Sequence, residues 1–311
     1  MTEPLSWQND GRSWPLNESS RFVTAGDVTW HVQVMGRPVG TAPVALLVHG
    51  TGASTHSWAR LAPLLLEDFT LVIPDLPGHA FSSTPAEGSG LSLPGMAASL
   101  TALMQTLHAA PALAVGHSAG AAVLMRMMLD GGIAPRLLVS LNGALLPLQG
   151  WAGTLFSPLA KLAVLNPVTP RLFAWHATGE GAVERVLRGT GSNLDAKGLD
   201  FYRRLFRSPT HIAGTLGMMA RWDLVPLQRD MPRLKVPLLL VACGADQAIS
   251  PETAFRVRDL VPGSSVEFMR GLGHLAHEEE PERFSKLILA AAAAQQTGPG
   301  TMPAPTTAFS P

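Results

Sequence analysis

The chain of 311 residues balances 23 Lys and Arg against 23 Asp and Glu, with 46% hydrophobic and 15% charged residues. This composition excludes a largely disordered chain and any net field that would draw nucleic acid. The single cysteine, Cys243, excludes an intramolecular disulfide framework and fits a reducing compartment.

Residues 1–19 read as an N-terminal extension without the basic start and apolar stretch of a signal peptide. No apolar run approaches the ~20 residues that span a bilayer, so no transmembrane segment is expected and the location is read as cytoplasmic. The alternating runs RFVTA and VTWHVQVM, joined by Gly26-Asp27, predict a hairpin. VALLVHG, FTLVIPDLP, ALAVGHS, LLVSLNGAL and VPLLLVACG are nearly continuous in Val, Leu and Ile, as parallel strands covered on both faces should be. SSVEFMRGL completes the set of strands. Helical patterns fit at 57–67, 94–108, 119–130, 251–260 and 281–294. The fold class is therefore α/β, a mostly parallel eight-stranded sheet with helices on both faces.

The rhythm breaks over 145–227, where helical runs are interrupted by Pro and Gly; this predicts an inserted helical cap between core segments 20–144 and 228–295. Residues 296–311, rich in Pro, Gly and Thr, are expected to be disordered.

Chemistry concentrates at strand ends. The run LAVGHSAG places Ser118 between two glycines where a strand turns into the helix AAVLMRMML, the context in which a serine hydroxyl projects from the top of a sheet. Such a nucleophile needs a base, and the base needs an orienting acid. His274 follows the last strand and Asp246 the one before it, in the order serine, acid, histidine. His277 competes as base and Asp223 as acid, the latter with a local capping role as the simpler reading. The oxyanion donors are assigned to the backbone N–H groups of Ala119 and Thr51, with Gly52 as the lesser alternative to Thr51. His49 and His117 flank these loops and count among candidate ligand contacts, although the turn should point His117 away from Ser118.

In the cap, Trp151, Phe156, Met218 and Met219 are candidate apolar ligand contacts, and Arg203, Arg204 and Arg207 candidate receivers of acidic ligand groups. The run HLAHEEE lacks the arrangements of zinc hydrolases, and HGTGAST lacks the ending of a phosphate-binding loop, so no metal and no cofactor are expected. The acidic run Glu278 to Glu280 reads as a helix start before Pro281, and Cys243 as a buried strand residue.

Taken together, LLVHGTG, PDLPGH, VGHSAG, GADQAISP and GLGHLAHEEEPE resemble the ordered signature of the α/β-hydrolase superfamily over roughly residues 20–295. Ala80 departs from it, standing where many members have glycine; Asp75 and His79 then read as structural. SSRFV, WHVQVMG, HGTGASTHSW, LNGALLP, GMMARWDL and GLGHLAHEE are similar to the BchO-type magnesium-chelatase accessory proteins of bacteriochlorophyll biosynthesis. That resemblance runs through the cap as well as the core. It implies a role near magnesium insertion into protoporphyrin IX, an apolar or porphyrin-like ligand and chelatase subunits as partners. It leaves room for peripheral contact with photosynthetic membranes, and it implies no particular reaction. The expected activity is a serine hydrolase acting on an ester, thioester or lactone; the alternative is a non-hydrolytic porphyrin binder or chelatase partner on the same scaffold.

Overall fold

The computed structural model describes residues 4–147, 166, 168–179 and 181–296. Eight strands form one sheet among them: β1 (Ser20–Ala25), β2 (Val28–Met35), β3 (Val44–Val48), β4 (Thr70–Pro74), β5 (Pro111–His117), β6 (Leu137–Leu141), β7 (Leu238–Cys243) and β8 (Ser265–Met269). Their order is β1-β2-β4-β3-β5-β6-β7-β8. β2 pairs antiparallel with both β1 and β4, and every later pairing is parallel.

Successive side chains of a strand face opposite sides, and the strands use both sides for burial. On β3, Val44, Leu46 and Val48 enter one core, and Ala45 and Leu47 enter the other. The first core is completed by α2 (Leu93–Thr106) and α3 (Ala119–Leu129), with α8 (Val225–Asp230) and α9 (Glu252–Leu260). The second is closed by α11 (Pro281–Gln296) through Phe284, Ile288 and Ala292, and by Trp58, Leu61 and Leu65.

Those last three residues lie where a helix over 57–67 is expected. The chain instead makes two 3-10 turns, Thr55–Trp58 and Ala62–Leu65. Pro63 lacks the N–H that a continuing α-helix would need there. The first turn is capped by Ser54, whose side chain accepts from the His56 N–H.

Between β6 and β7 lie α4 (Thr169–His176), α5 (Ala182–Arg188), α6 (Ala196–Phe206) and α7 (Pro209–Ala220). Val183, Leu187 and Tyr202 of this group pack on Ala53 and Leu275, residues of the loops after β3 and β8. Gly214 of α7 lies directly on Gly78, so closely that a Cβ on either would meet the other's backbone. A short helix α1 (Trp7–Asp10) and the residues after it cross from the sheet to α6: Trp14 packs on Phe81 and Phe201. Helix α10 (Ala276–Glu279) follows the β8 loop. Among the described residues no helix is long and apolar enough to cross a membrane.

Candidate active site

The parallel strands end on one edge, so the loops bearing Thr51, Ser118, Asn142, Asp246 and His274 share it. Ser118 occupies the turn from β5 to α3 with φ 51° and ψ −119°, a conformation unfavourable for a residue with a side chain. Two glycines make the turn possible. A Cβ on Gly116 would lie 2.5 Å from the Ala121 nitrogen, and one on Gly120 would collide with the Val48 carbonyl. The turn is held by the Ser118 N–H, which donates to the Leu141 carbonyl at 3.0 Å. Ala119 opens α3, where the first N–H groups of a helix have no partner within it. Gly50 brings the β3 loop against this turn, since a Cβ there would lie 2.9 Å from that of Ser118.

His274 and Asp246 are both buried and bonded directly, Nδ1 to Oδ2, at 2.7 Å. The Nδ1–H donates to the carboxylate, which leaves Nε2 as the ring nitrogen turned away from Asp246. The other Asp246 oxygen accepts from the Ala248 and Ile249 N–H groups at 2.8 and 2.9 Å, so the carboxylate is fixed at both ends. Asp223 instead accepts from the Val225 N–H two residues on, a local cap.

His117 and His49 are buried, and both bond to the backbone. The His117 Nε2–H donates to the His274 carbonyl at 3.0 Å, and its ring lies 4.6 Å from that of His274. His49 accepts from the Leu76 N–H at Nε2 and donates from Nδ1 to the Gly50 carbonyl. Burial lowers the pKa of each, so both rings are neutral.

The remaining candidates separate. Met218 lies beside the β3 loop, 3.7 Å from Thr51 Oγ1, and Met219 is partly buried on the same helix. Trp151 and Phe156 fall outside the described residues. Arg203, Arg204 and Arg207 do not form one cluster, because neighbours on a helix point about 100° apart. Arg203 pairs with Glu184, and with Arg207 borders a shallow cavity of about 310 Å³. Arg204 turns the other way, to Asp10 and Ser13, with its guanidinium over the Trp14 ring.

Two residues that shape the site, Asn142 and His211, carry no local sequence signal. Asn142, with φ 46° at the end of β6, donates to the carbonyls of Gly273 and His274 and accepts from the Cys243 N–H. It ties the histidine loop to two strands. His211 of α7 accepts from the Ala80 N–H and donates to the Gly52 carbonyl, pinning that helix to the core. Asp75 bonds His31 Nδ1 and the Thr55 N–H, holding the first 3-10 turn. The side chains of His277, the competing candidate base, and of Glu278, read as part of a helix start, are buried on Ser57 at 2.9 and 2.5 Å. His274 and His277 therefore face different partners, and no described group of three or more His, Cys, Asp or Glu is placed to hold a metal ion. Cys243 is buried, and burial pushes its thiol up to about 11.

Comparison with known proteins agrees with this fold. The magnesium-chelatase 30 kDa subunit of Rhodobacter capsulatus is 35% identical over 277 residues, 89% of this chain and 95% of that protein. A pyrrolizixenacetamide deacetylase of Xenorhabdus hominickii is 27% identical over 256 residues, 80% of this chain and 90% of its own. An alpha/beta hydrolase fold protein from Burkholderia ambifaria superposes with a TM-score of 0.71 at 21% identity, covering 87% of this chain and 99% of that one. With the profile of the alpha/beta hydrolase family matching residues 45–287, on a sheet of this order and with a strained serine at the β5 turn, the chain belongs to the alpha/beta hydrolase family.

Proposed function

We propose that this protein is a serine hydrolase working beside magnesium chelatase, with an ester, thioester or lactone as its substrate. The observation that carries the reading is the Asp246–His274 bond, on the same sheet edge as a serine in a strained strand-to-helix turn. In the proposed reaction His274 Nε2 takes the proton of the Ser118 hydroxyl as its oxygen attacks the acyl carbon. The N–H groups of Ala119 and Thr51 receive the oxyanion, and His274 returns the proton to the leaving group. Water then repeats the sequence on the acyl-enzyme. Asp246 keeps the imidazole in the tautomer that accepts at Nε2.

The four helices α4 to α7, which lie within the expected cap of 145–227, act as a cap in this reading. Phe206, Thr215 and Met218 lie against the β3 loop beside His211, and the first and last of them favour an apolar acyl or ring system beneath. The likeness to a chelatase subunit supports the pathway assignment and equally suits the second reading, a chelatase partner that performs no hydrolysis.

Two measurements decide between them. Ser118→Ala should lose fluorophosphonate labelling and lower hydrolysis of a short-chain aryl ester by about 10³-fold or more. The same variant should fail to restore bacteriochlorophyll synthesis in a strain lacking this protein. Full restoration by a folded Ser118→Ala would overturn the hydrolytic role and leave the partner reading.

A further inference from the structure

A cavity of about 540 Å³ opens on the flank of the molecule, between Leu16, Arg60, the start of α6 at Lys197 and Phe201, and the end of α10 at Glu278 and Glu279. Its walls include none of Ser118, Asp246, His274 or Thr51. Its volume is that of a small-molecule site.

Glu278, only 7% exposed, is its most unusual wall residue. Both hydroxyl donors reach the same oxygen: Ser57 gives its hydrogen to Oε1 at 2.5 Å, and Tyr202 does so at 2.7 Å. Oε2 receives no hydrogen bond from the described residues, and no cation pairs with the carboxyl. The neighbouring Arg60 guanidinium donates to the Glu278 backbone carbonyl instead. Beyond the hydroxyls, the group faces the buried ring of His277, bonded to Ser57, with Glu279 and Asp195 adding negative potential. Burial outweighs the two hydroxyl donors and raises the carboxyl to about 7, and it raises Glu279 as well. A carboxyl held out of water without a counter-ion takes a proton; a ligand cation would remove that need. Leu16, Leu272 and Phe201 provide apolar wall beside it.

We infer that this cavity is a second binding site, separate from the Ser118 site, for a primary ammonium group on a short apolar chain, with Glu278 Oε2 as its acceptor. The ammonium supplies the missing charge, and the chain lies along the apolar wall. Binding therefore expels the proton that the empty site holds.

The test is calorimetric titration of the full chain with n-hexylammonium chloride near pH 6, in two buffers of different ionisation enthalpy, with n-hexanol and hexanoate as controls. Saturable binding at least about tenfold tighter than either control, with release of most of one proton, is expected. Glu278→Gln should lose the release and weaken binding about tenfold, whereas Ser118→Ala should bind as wild type does. Equal binding of hexanol or hexanoate, no proton release, or unchanged affinity in Glu278→Gln would each overturn the site. Should Glu278→Gln not fold, the release measured on the wild-type chain decides alone.

Discussion

Asn142 holds the histidine loop with one side chain, and its removal should register in both stability and turnover. Asn142→Ala strands the buried Cys243 N–H and the Gly273 carbonyl, at about 2–4 kcal/mol in all. Urea unfolding should show that loss. Because the His274 carbonyl keeps only its His117 donor, ester hydrolysis should fall about tenfold or more, chiefly in kcat. Glu278 gives a different signature. Its folded pKa of about 7 lies above the ordinary 4.5, so the native state binds more protons than the unfolded chain between those values. Stability from this group is thus full at acid pH and falls as pH rises through about 7, by on the order of 3 kcal/mol. The stability of wild type relative to Glu278→Gln should fall with rising pH across that window; a constant difference would contradict the assignment. Ser118, Asp246 and His274 could be picked out of the sequence because each sits beside a strand whose pattern is local. Asn142 and Glu278 could not, since their partners lie 131 and 221 residues away.

Among the elements, α6 depends most on sequence-distant support. It is reached from residues 5–14 by the Trp14–Phe201 ring contact, by Arg204 on Asp10, and by the Leu5 N–H on Ser208 Oγ just beyond the helix. Trp14→Ala should cost about 3–5 kcal/mol and speed proteolysis within 196–220, read by limited digestion before any global unfolding. A cleavage rate equal to wild type would show that the N-terminal segment does not restrain this helix. Strands and long helices were legible from the pattern of residue types, β2 to the residue, because VTWHVQVM alternates apolar and polar residues although all but Thr29 are buried. The two 3-10 turns were not: Thr55 to Trp58 are all buried yet three of the four are polar, so neither strand nor helix spacing marks them, and Pro63 in the second turn carries no such spacing either. The directions of the three arginines of α6 and its end were not legible either, composition giving their number and only the helix giving where each points.

At the scale of the whole molecule, the buried histidines govern the response to acid. His56 and His277 are lowered to about 3 and His211 to about 4, in each case mainly by burial. Their unfolded forms bind protons near 6.5, so stability is complete above that value and is lost as pH falls towards 3–4. Several such groups outweigh Glu278, whose slope runs the other way. Denaturant midpoints taken stepwise from about pH 7 to about pH 4 should therefore fall steeply, and a flat profile would contradict the burial of these rings. The turn at Ser118 has a last consequence, in the substitutions the chain can accept. A side chain at φ 51° and ψ −119° carries strain that glycine would not, so Ser118→Gly should melt above wild type by the equivalent of about 1 kcal/mol. Under the proposed reaction the most stable version of this protein would then be a barren one, and selection for robustness alone would erase the serine that the proposed chemistry needs.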